Sequence, residues 1–181
     1  MKKEQFEIEL RALLSQKQYA RLSQELSQKM KLINEDTIYT TQYRPGHIKL
    51  KYSNKAIEIV CKDGSPLALS RKEIRIPLES KEQLDSFAQI LTQLKLTADP
   101  AWISHKKEFE YAFGGFTYLI SLQHIENFAF LVEVEFLSEK NDSRIHEPNI
   151  RAILKELDCE PVNNQKFAQK IQAYRDQYAK L

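Results

Sequence analysis

Apolar and polar residues alternate one for one along much of the chain, the period of a strand with one buried face. In the stretch from Phe6 to Leu14, Phe6, Ile8, Leu10, Ala12 and Leu14 fall on one face, and Glu7, Glu9 and Arg11 fall on the other. Val132-Glu133-Val134-Glu135-Phe136 repeats the pattern near the far end and again sets two carboxylates two residues apart. Between them, Ile48, Leu50 and Tyr52 oppose Lys49 and Lys51. Ile57, Ile59 and Cys61 oppose Glu58, Val60 and Lys62, and Ile74, Ile76 and Leu78 oppose Arg71, Glu73 and Arg75. These segments predict strands over about 48–52, 56–62 and 69–78, joined through the hairpin signal Asp63-Gly64. A β-branched run predicts a further strand at 37–41, before the Pro45-Gly46 turn. Three more strands are expected at about 101–112, 116–123 and 129–138, separated by Gly114-Gly115 and by His124-Ile125-Glu126-Asn127.

Elsewhere the period changes to that of a helix. Ser15 caps a helix expected over 16–33, with Tyr19, Leu22, Leu26, Met30 and Ile33 as its apolar stripe. Ser80-x-x-Gln83 reads as a capping box opening a helix whose apolar face is Leu84, Phe87, Ile90, Leu91 and Leu94. After a polar loop at 138–143, Pro148 suits the first turn of a helix from about 147. That helix carries Ile150, Ile153, Leu154 and Leu157, and a last one is expected over about 164–180. The layout is α+β with a largely antiparallel sheet in a single domain, 1–181. Amphipathic helices need an apolar surface to cover. The economical arrangement wraps them on the apolar face of a curved sheet and turns the charged faces inward, into a tunnel or cleft. The alternative is an open sheet with its charged face in solvent.

Composition narrows the function classes. The chain is 42% hydrophobic and 29% charged, which suits an ordinary globular domain rather than a disordered one. A net charge of +2 argues against a generic nucleic-acid surface. Four glycines form no phosphate-cradling loop. Cys61 and Cys159 are far apart and have no second ligand nearby, so free thiols are expected. With no apolar leader and no long apolar run, a cytoplasmic protein without a membrane role is expected, as monomer or homodimer.

The candidate chemistry lies on the charged faces. Their acidic set is Glu7, Glu9, Glu133 and Glu135, with Glu58 and Glu73 as further members. Their basic set is Arg11, Lys49, Lys51, Lys62, Arg71 and Lys106. Clustered carboxylates repel unless solvated, protonated or holding a cation, and oxygen ligands suit magnesium, manganese or calcium. Carboxylates for a divalent cation beside several cationic side chains are what a polyphosphate ligand requires. The four histidines match no zinc pattern, although register could turn His47 and His105 inward. Trp102 and Tyr111 are candidates for stacking on a ligand ring, with core packing as the alternative.

These residues carry a family resemblance. Glu7-Ile8-Glu9-Leu10-Arg11 resembles the E-x-E-x-K signature of the CYTH superfamily, the triphosphate tunnel metalloenzymes. Ile48-Lys49-Leu50-Lys51 resembles the family's L-R-I-R strand, Cys61-Lys62-Asp63-Gly64 its T-x-K-G turn, and Arg71-Lys72-Glu73 its R-x-E strand. Leu122 to Glu135 is similar to its L-D-x-V…G-x-F-V-E-I-E segment, and the C-terminal helices with Tyr174 are similar too, so the likeness spans about 5–178. It implies an eight-stranded antiparallel tunnel with helices outside. Glu7, Glu9, Glu133 and Glu135 would then bind Mg2+ or Mn2+, and Arg11, Lys49, Lys51, Lys62, Arg71 and Lys106 would hold a small-molecule triphosphate. Arg11 and Lys106 would also stabilise charge in the reaction. The implied activity is hydrolysis of tripolyphosphate, thiamine triphosphate or a nucleoside triphosphate. A cyclase making cyclic AMP from ATP is the alternative, and a silent polyphosphate binder is a third reading.

The chain also departs from the pattern. Arg11 replaces the signature lysine, keeping the charge but unable to serve as a base. Gln123 stands where an acidic residue is usual, Glu108 where a basic one is, and Asn127 and Ala129 replace glycines.

Overall fold

The computed structural model describes residues 5–64 and 68–178. Its elements run β1 (Gln5–Leu14), α1 (Gln16–Lys29), β2 (Lys31–Arg44), β3 (Ile48–Tyr52), β4 (Ile57–Lys62), β5 (Ser70–Pro77), α2 (Lys81–Gln93), β6 (Thr97–Ala98), β7 (Trp102–Phe113), β8 (Phe116–Ile125), β9 (Ala129–Ser138), α3 (Ser143–Glu156) and α4 (Asn164–Tyr178). The sheet order is β3-β4-β5-β1-β9-β8-β7-β2-β6, and β3 also pairs with β2. That extra pairing closes eight antiparallel strands into a barrel and leaves two-residue β6 outside on β2. The fold is α+β, an eight-stranded tunnel with helices outside it, as expected.

The alternation decides what lies on each side of the wall. Ile8, Ala12, Ile120, Leu122, Val132 and Val134 point outward and are fully buried under α1 and α3, together with Leu22, Leu26, Ile150, Ile153 and Leu154. On the opposite side of the barrel, Leu50 and Ile59 pack under Leu84 and Leu91 of α2. Burying such a side chain contributes about 1.5–3 kcal/mol each, so the core is the outer surface of the wall and the polar faces are left for the interior.

Several boundaries differ from the sequence reading. The first helix stops at Lys29, and residues 31–33 belong to β2, where Leu32 pairs with Phe109 and a bulge follows before Asn34. The second strand is therefore far longer than 37–41. Its Asn34 and Asp36 stand opposite Glu108 and Lys106 and so face the tunnel, which is why a polar stretch can be strand here. β8 continues through His124 and Ile125, which pair with Phe130 and Ala129. Ser15 makes the reciprocal capping box with Gln18. At Ser80 the hydroxyl accepts from Gln83 N, but the Gln83 side chain accepts from Glu79 N instead of closing the box. The third helix begins at Ser143, not about 147, so Pro148 lies inside it and leaves one carbonyl of the first turns without its N–H partner. The expected end of the last helix, at 180, lies outside the described residues.

Candidate functional site

Cross-strand register brings the charged residues together. Glu9 stands opposite Glu135, and Arg11 opposite Glu133. Glu7 stands opposite Arg71, Lys62 opposite Glu73, and Lys51 opposite Glu58. All of the predicted site residues therefore share the interior face. Among the described residues, the carboxylates able to hold a metal together are Glu7, Glu9 and Glu135, all buried, with one oxygen from each within 4.8 Å of the others. Glu133 lies outside that trio: its carboxylate takes a hydrogen bond from the Gln123 amide and lies 3.2 Å from Arg11 Nε.

Most of these charges are compensated within the tunnel. Arg71 donates to Glu9 at 2.6 Å and sits 3.8 Å from Glu7. Lys62 pairs with Glu7 and is 3.2 Å from Glu73. Arg11 pairs with Glu9 as well as Glu133. Lys106 pairs with Glu108, which also accepts from Asn34 at 2.8 Å. Arg75, which the motif reading did not pick out as a ligand contact, pairs with Glu73 and lies 3.5 Å from Glu58, near Lys51 at 3.6 Å. Its place in the alternation, two residues beyond Glu73, was the signal that marked it.

Two groups are left over. Among the described residues no cation lies within 4.0 Å of the Glu135 carboxylate, and no carboxylate lies that close to the Lys49 ammonium, which sits 6.0 Å from the centroid of the Trp102 ring. Burial drives both toward neutrality. Glu135 is pushed up to about 8, with Glu7, Glu9 and Glu133 adding repulsion that Lys106 only partly offsets. Lys49 is pushed down to about 7 by burial, then by Lys62 and Lys51. Glu9, by contrast, is held below the ordinary carboxylate value: burial raises it, but Arg11, Lys62, Arg71 and Lys49 together prevail. Burial raises Glu7, and Glu9 adds to the rise.

The donor set fits a hard divalent cation: three buried carboxylates, one of them without an ion-pair partner among the described residues. A prediction follows for the metal-free protein. Glu135 holds its proton in the folded state up to about pH 8, whereas an ordinary carboxylate releases it near 4.5. The folded protein therefore binds more protons between those values, and this group's contribution to stability falls as pH rises through the window. Thermal melts without metal should show that slope, and Mg2+ or Mn2+ should flatten it while releasing a proton. An identical slope in Glu135→Gln would refute the attribution.

The other candidates separate. His47 lies beside Arg71, Lys49 and Arg175, and its buried Nδ1 has no hydrogen-bond partner. His105 faces outward, stacked on His124 and 2.9 Å from Glu126. Tyr111 is also outside, donating to Glu156 at 2.6 Å. Trp102 faces inward, opposite Thr40. Sequence reasoning did not find how α4 meets this end of the barrel. Phe167 lies under the Arg11 guanidinium at 4.9 Å, Tyr174 donates to the Ala101 carbonyl, and Arg175 donates to buried Asp99 at 2.7 Å. Cys61 and Cys159 are free thiols. Among the described residues no helix is long and apolar enough to cross a membrane.

A closed antiparallel tunnel with carboxylates and cations on its inner face and helices outside is the CYTH tunnel fold, and this chain has it. No family model and no curated protein matches the sequence, but solved structures do. The PH1819 protein from Pyrococcus horikoshii is 17% identical, with a TM-score of 0.67, covering 86% of this chain and 92% of its own. A candidate adenylate cyclase from Bacillus halodurans is 13% identical, with a TM-score of 0.61 and coverage of 90% and 95%. A candidate adenylyl cyclase from Hippeastrum, described as having a dominant triphosphatase activity, is 14% identical, with a TM-score of 0.60 and coverage of 93% and 96%.

Proposed function

We propose that the chain is a divergent CYTH member that hydrolyses a triphosphate inside its tunnel with the help of a divalent metal. The observation that carries the reading is a pair of ionisable groups on the tunnel wall that have no ion-pair partner among the described residues: the buried Glu135 carboxyl and the half-buried Lys49 amine. A metal ion and a polyanion bound together would complete both. Glu7, Glu9 and Glu135 would hold Mg2+ or Mn2+, which when bound supplies Lewis-acid polarisation of phosphate oxygens. Lys49 and Lys51 on β3 and Arg75 on β5 would grip one part of the phosphate chain, with Lys62 and Arg71 beside the carboxylates. Arg11 and Lys106 would stabilise the charge that gathers on the leaving oxygens as water bonds to the terminal phosphorus and the bridging P–O bond breaks. Arg11 stays protonated throughout and plays no part as a base. The dominant triphosphatase activity described for the Hippeastrum neighbour supports hydrolysis ahead of cyclisation.

A second reading, a silent polyphosphate binder, draws on Glu58, Glu73 and Glu108. They neutralise Lys51, Arg75, Lys62 and Lys106, so an entering polyanion must displace them. One experiment separates the readings: phosphate release from tripolyphosphate, thiamine triphosphate and ATP, with Mg2+ and then Mn2+, with cyclic AMP assayed in the ATP reactions. Metal-dependent phosphate release is expected. Cyclic AMP with pyrophosphate would move the protein to the cyclases. Absence of any product, with tripolyphosphate still raising the melting temperature, would make it a binder.

A further inference from the structure

The tunnel end nearest α4 holds features that phosphate recognition does not use. Trp102 opens β7 on the interior face, opposite buried Thr40, which in turn stands opposite Lys51. An indole is a poor choice for a wall that contacts only phosphate, since it offers a large apolar face and one donor. Its contact with Lys49 is loose: Nζ is 6.0 Å from the ring centroid, at the outer limit of a cation–π contact.

The backbone before Trp102 is fixed on both sides. The Asp99 carboxylate accepts from Arg44 Nε at 2.6 Å and from Arg175 at 2.7 Å, and Asp99 N donates to the Gln42 carbonyl at 2.7 Å. Tyr174 OH donates to the Ala101 carbonyl at 3.2 Å. β2 and α4 thus clamp the three residues that aim the indole, so it is preorganised rather than free to collapse on its neighbours. His47 lies beside Arg71, Arg175, Asp99 and the same Lys49 that meets the indole, and its Nδ1 and Arg71 Nε are buried without hydrogen-bond partners, Arg71 as a whole being only 6% exposed. Buried polar atoms of that kind carry a cost unless a ligand satisfies them. A flat face, a shared cation and edge donors at one end of a phosphate tunnel form a site for a ring attached to the phosphates.

We propose that Trp102 is a specificity-determining residue: it stacks on the heteroaromatic ring of an organic triphosphate, with His47 and Arg71 Nε meeting polar atoms of that moiety. Lys49 leaves the indole face for the phosphate chain as the ligand arrives, which couples ring binding to phosphate binding. The inference rests on the tunnel being a triphosphate site, and it places ring-bearing substrates ahead of inorganic tripolyphosphate. The ring is that of a nucleotide or of thiamine, and the ligands of the test distinguish them.

Trp102 is the chain's single tryptophan, so its fluorescence reports on this site alone. In the full-length protein, the β,γ-methylene analogue of ATP or thiamine triphosphate should quench it more strongly than tripolyphosphate at equal saturation. Calorimetric titration of Trp102→Ala should show about tenfold weaker binding of the ring-bearing ligand, the scale of one base–aromatic stack, and tripolyphosphate binding within about twofold of wild type. Trp102→Phe should keep most of the affinity and controls for folding. Whichever ring-bearing ligand loses more is the one the site is built for. Equal losses for all three ligands, no loss for either ring-bearing one, or failure of both to bind would overturn the proposal. Absence of hydrolysis with the Trp102-dependent difference intact would end the hydrolase reading and leave this one standing. Normal tripolyphosphate hydrolysis without that difference would do the reverse.

Discussion

Replacing Glu7 and Glu9 together by Gln should abolish metal-dependent phosphate release, a fall of about a thousandfold or more. Metal-assisted charge stabilisation is worth several kcal/mol, and each 1.36 kcal/mol is about a factor of ten in rate. Two of the three clustered carboxylates become neutral amides in that variant, so the anionic ligand set is reduced to one carboxyl. The loss has a second source, because Arg71 loses both of its carboxylates, while Arg11 and Lys62 are left with Glu133 and Glu73. Glu135→Gln separates the two effects. Burial keeps its carboxyl protonated up to about pH 8, so an uncharged isostere should cost the metal-free fold little while still disabling the site. Full activity in the double variant would refute the metal assignment, and normal metal titration by Glu135→Gln would remove that residue from it.

Arg71→Met should be the most destabilising single change in the tunnel. Arg71 is buried, donates to Glu9 at 2.6 Å and lies 3.8 Å from Glu7. Methionine fills similar space but removes the cation that Glu7 and Glu9 share, leaving Glu9 to Arg11 and Glu7 to Lys62. Breaking a buried pair from one side costs about 3–5 kcal/mol, and about 2–4 °C of melting temperature accompanies each kcal/mol in a domain of this size. A drop of roughly 6–20 °C is therefore expected without metal. Millimolar Mg2+ should restore part of it, since a ligand that binds only the folded state stabilises by mass action. Calorimetric melts with and without Mg2+ test this; an unchanged metal-free melting temperature would mean that Glu7 and Glu9 are compensated by other groups.

The alternation made the fold readable because a tunnel with a charged interior preserves period two on nearly every strand, and the apolar faces of Leu22, Leu84 and Ile150 needed a wall to cover. The errors have a common cause. Asn34-Glu35-Asp36 has the polarity that usually marks a loop, yet Asn34 and Asp36 pair with the interior residues Glu108 and Lys106 of β7. Met30 and Ile33 continue the stripe of the preceding helix with no glycine or proline to stop it, and only the distant pairing of Leu32 with Phe109 shows that this segment is a strand. Pro148 was read by its most common position, whereas the helix starts five residues earlier. At the site, alternation gathered the right residues on one face but could not rank them. Which carboxylates meet in space, and that Gln123 and Arg11 draw Glu133 away, depend on strand register and side-chain reach. The clamp of Arg44 and Arg175 on Asp99 joins segments with no shared pattern in the sequence.

The position of β1 between β5 and β9 has a consequence for how the molecule is made. During synthesis Glu7 and Glu9 leave the ribosome well before the strand bearing Glu135, which follows the other strands of the barrel. Neighbouring hairpins such as β3–β4 and β7–β8 can form as they appear, but the wall has no closed circumference until β9 reaches β1. Non-local pairings of this kind are slow to form, and unpaired strand edges invite association with other chains in the meantime. Closure of the ring and assembly of the carboxylate trio are therefore one event, so a nascent chain exposes an open sheet edge until its final strand is available.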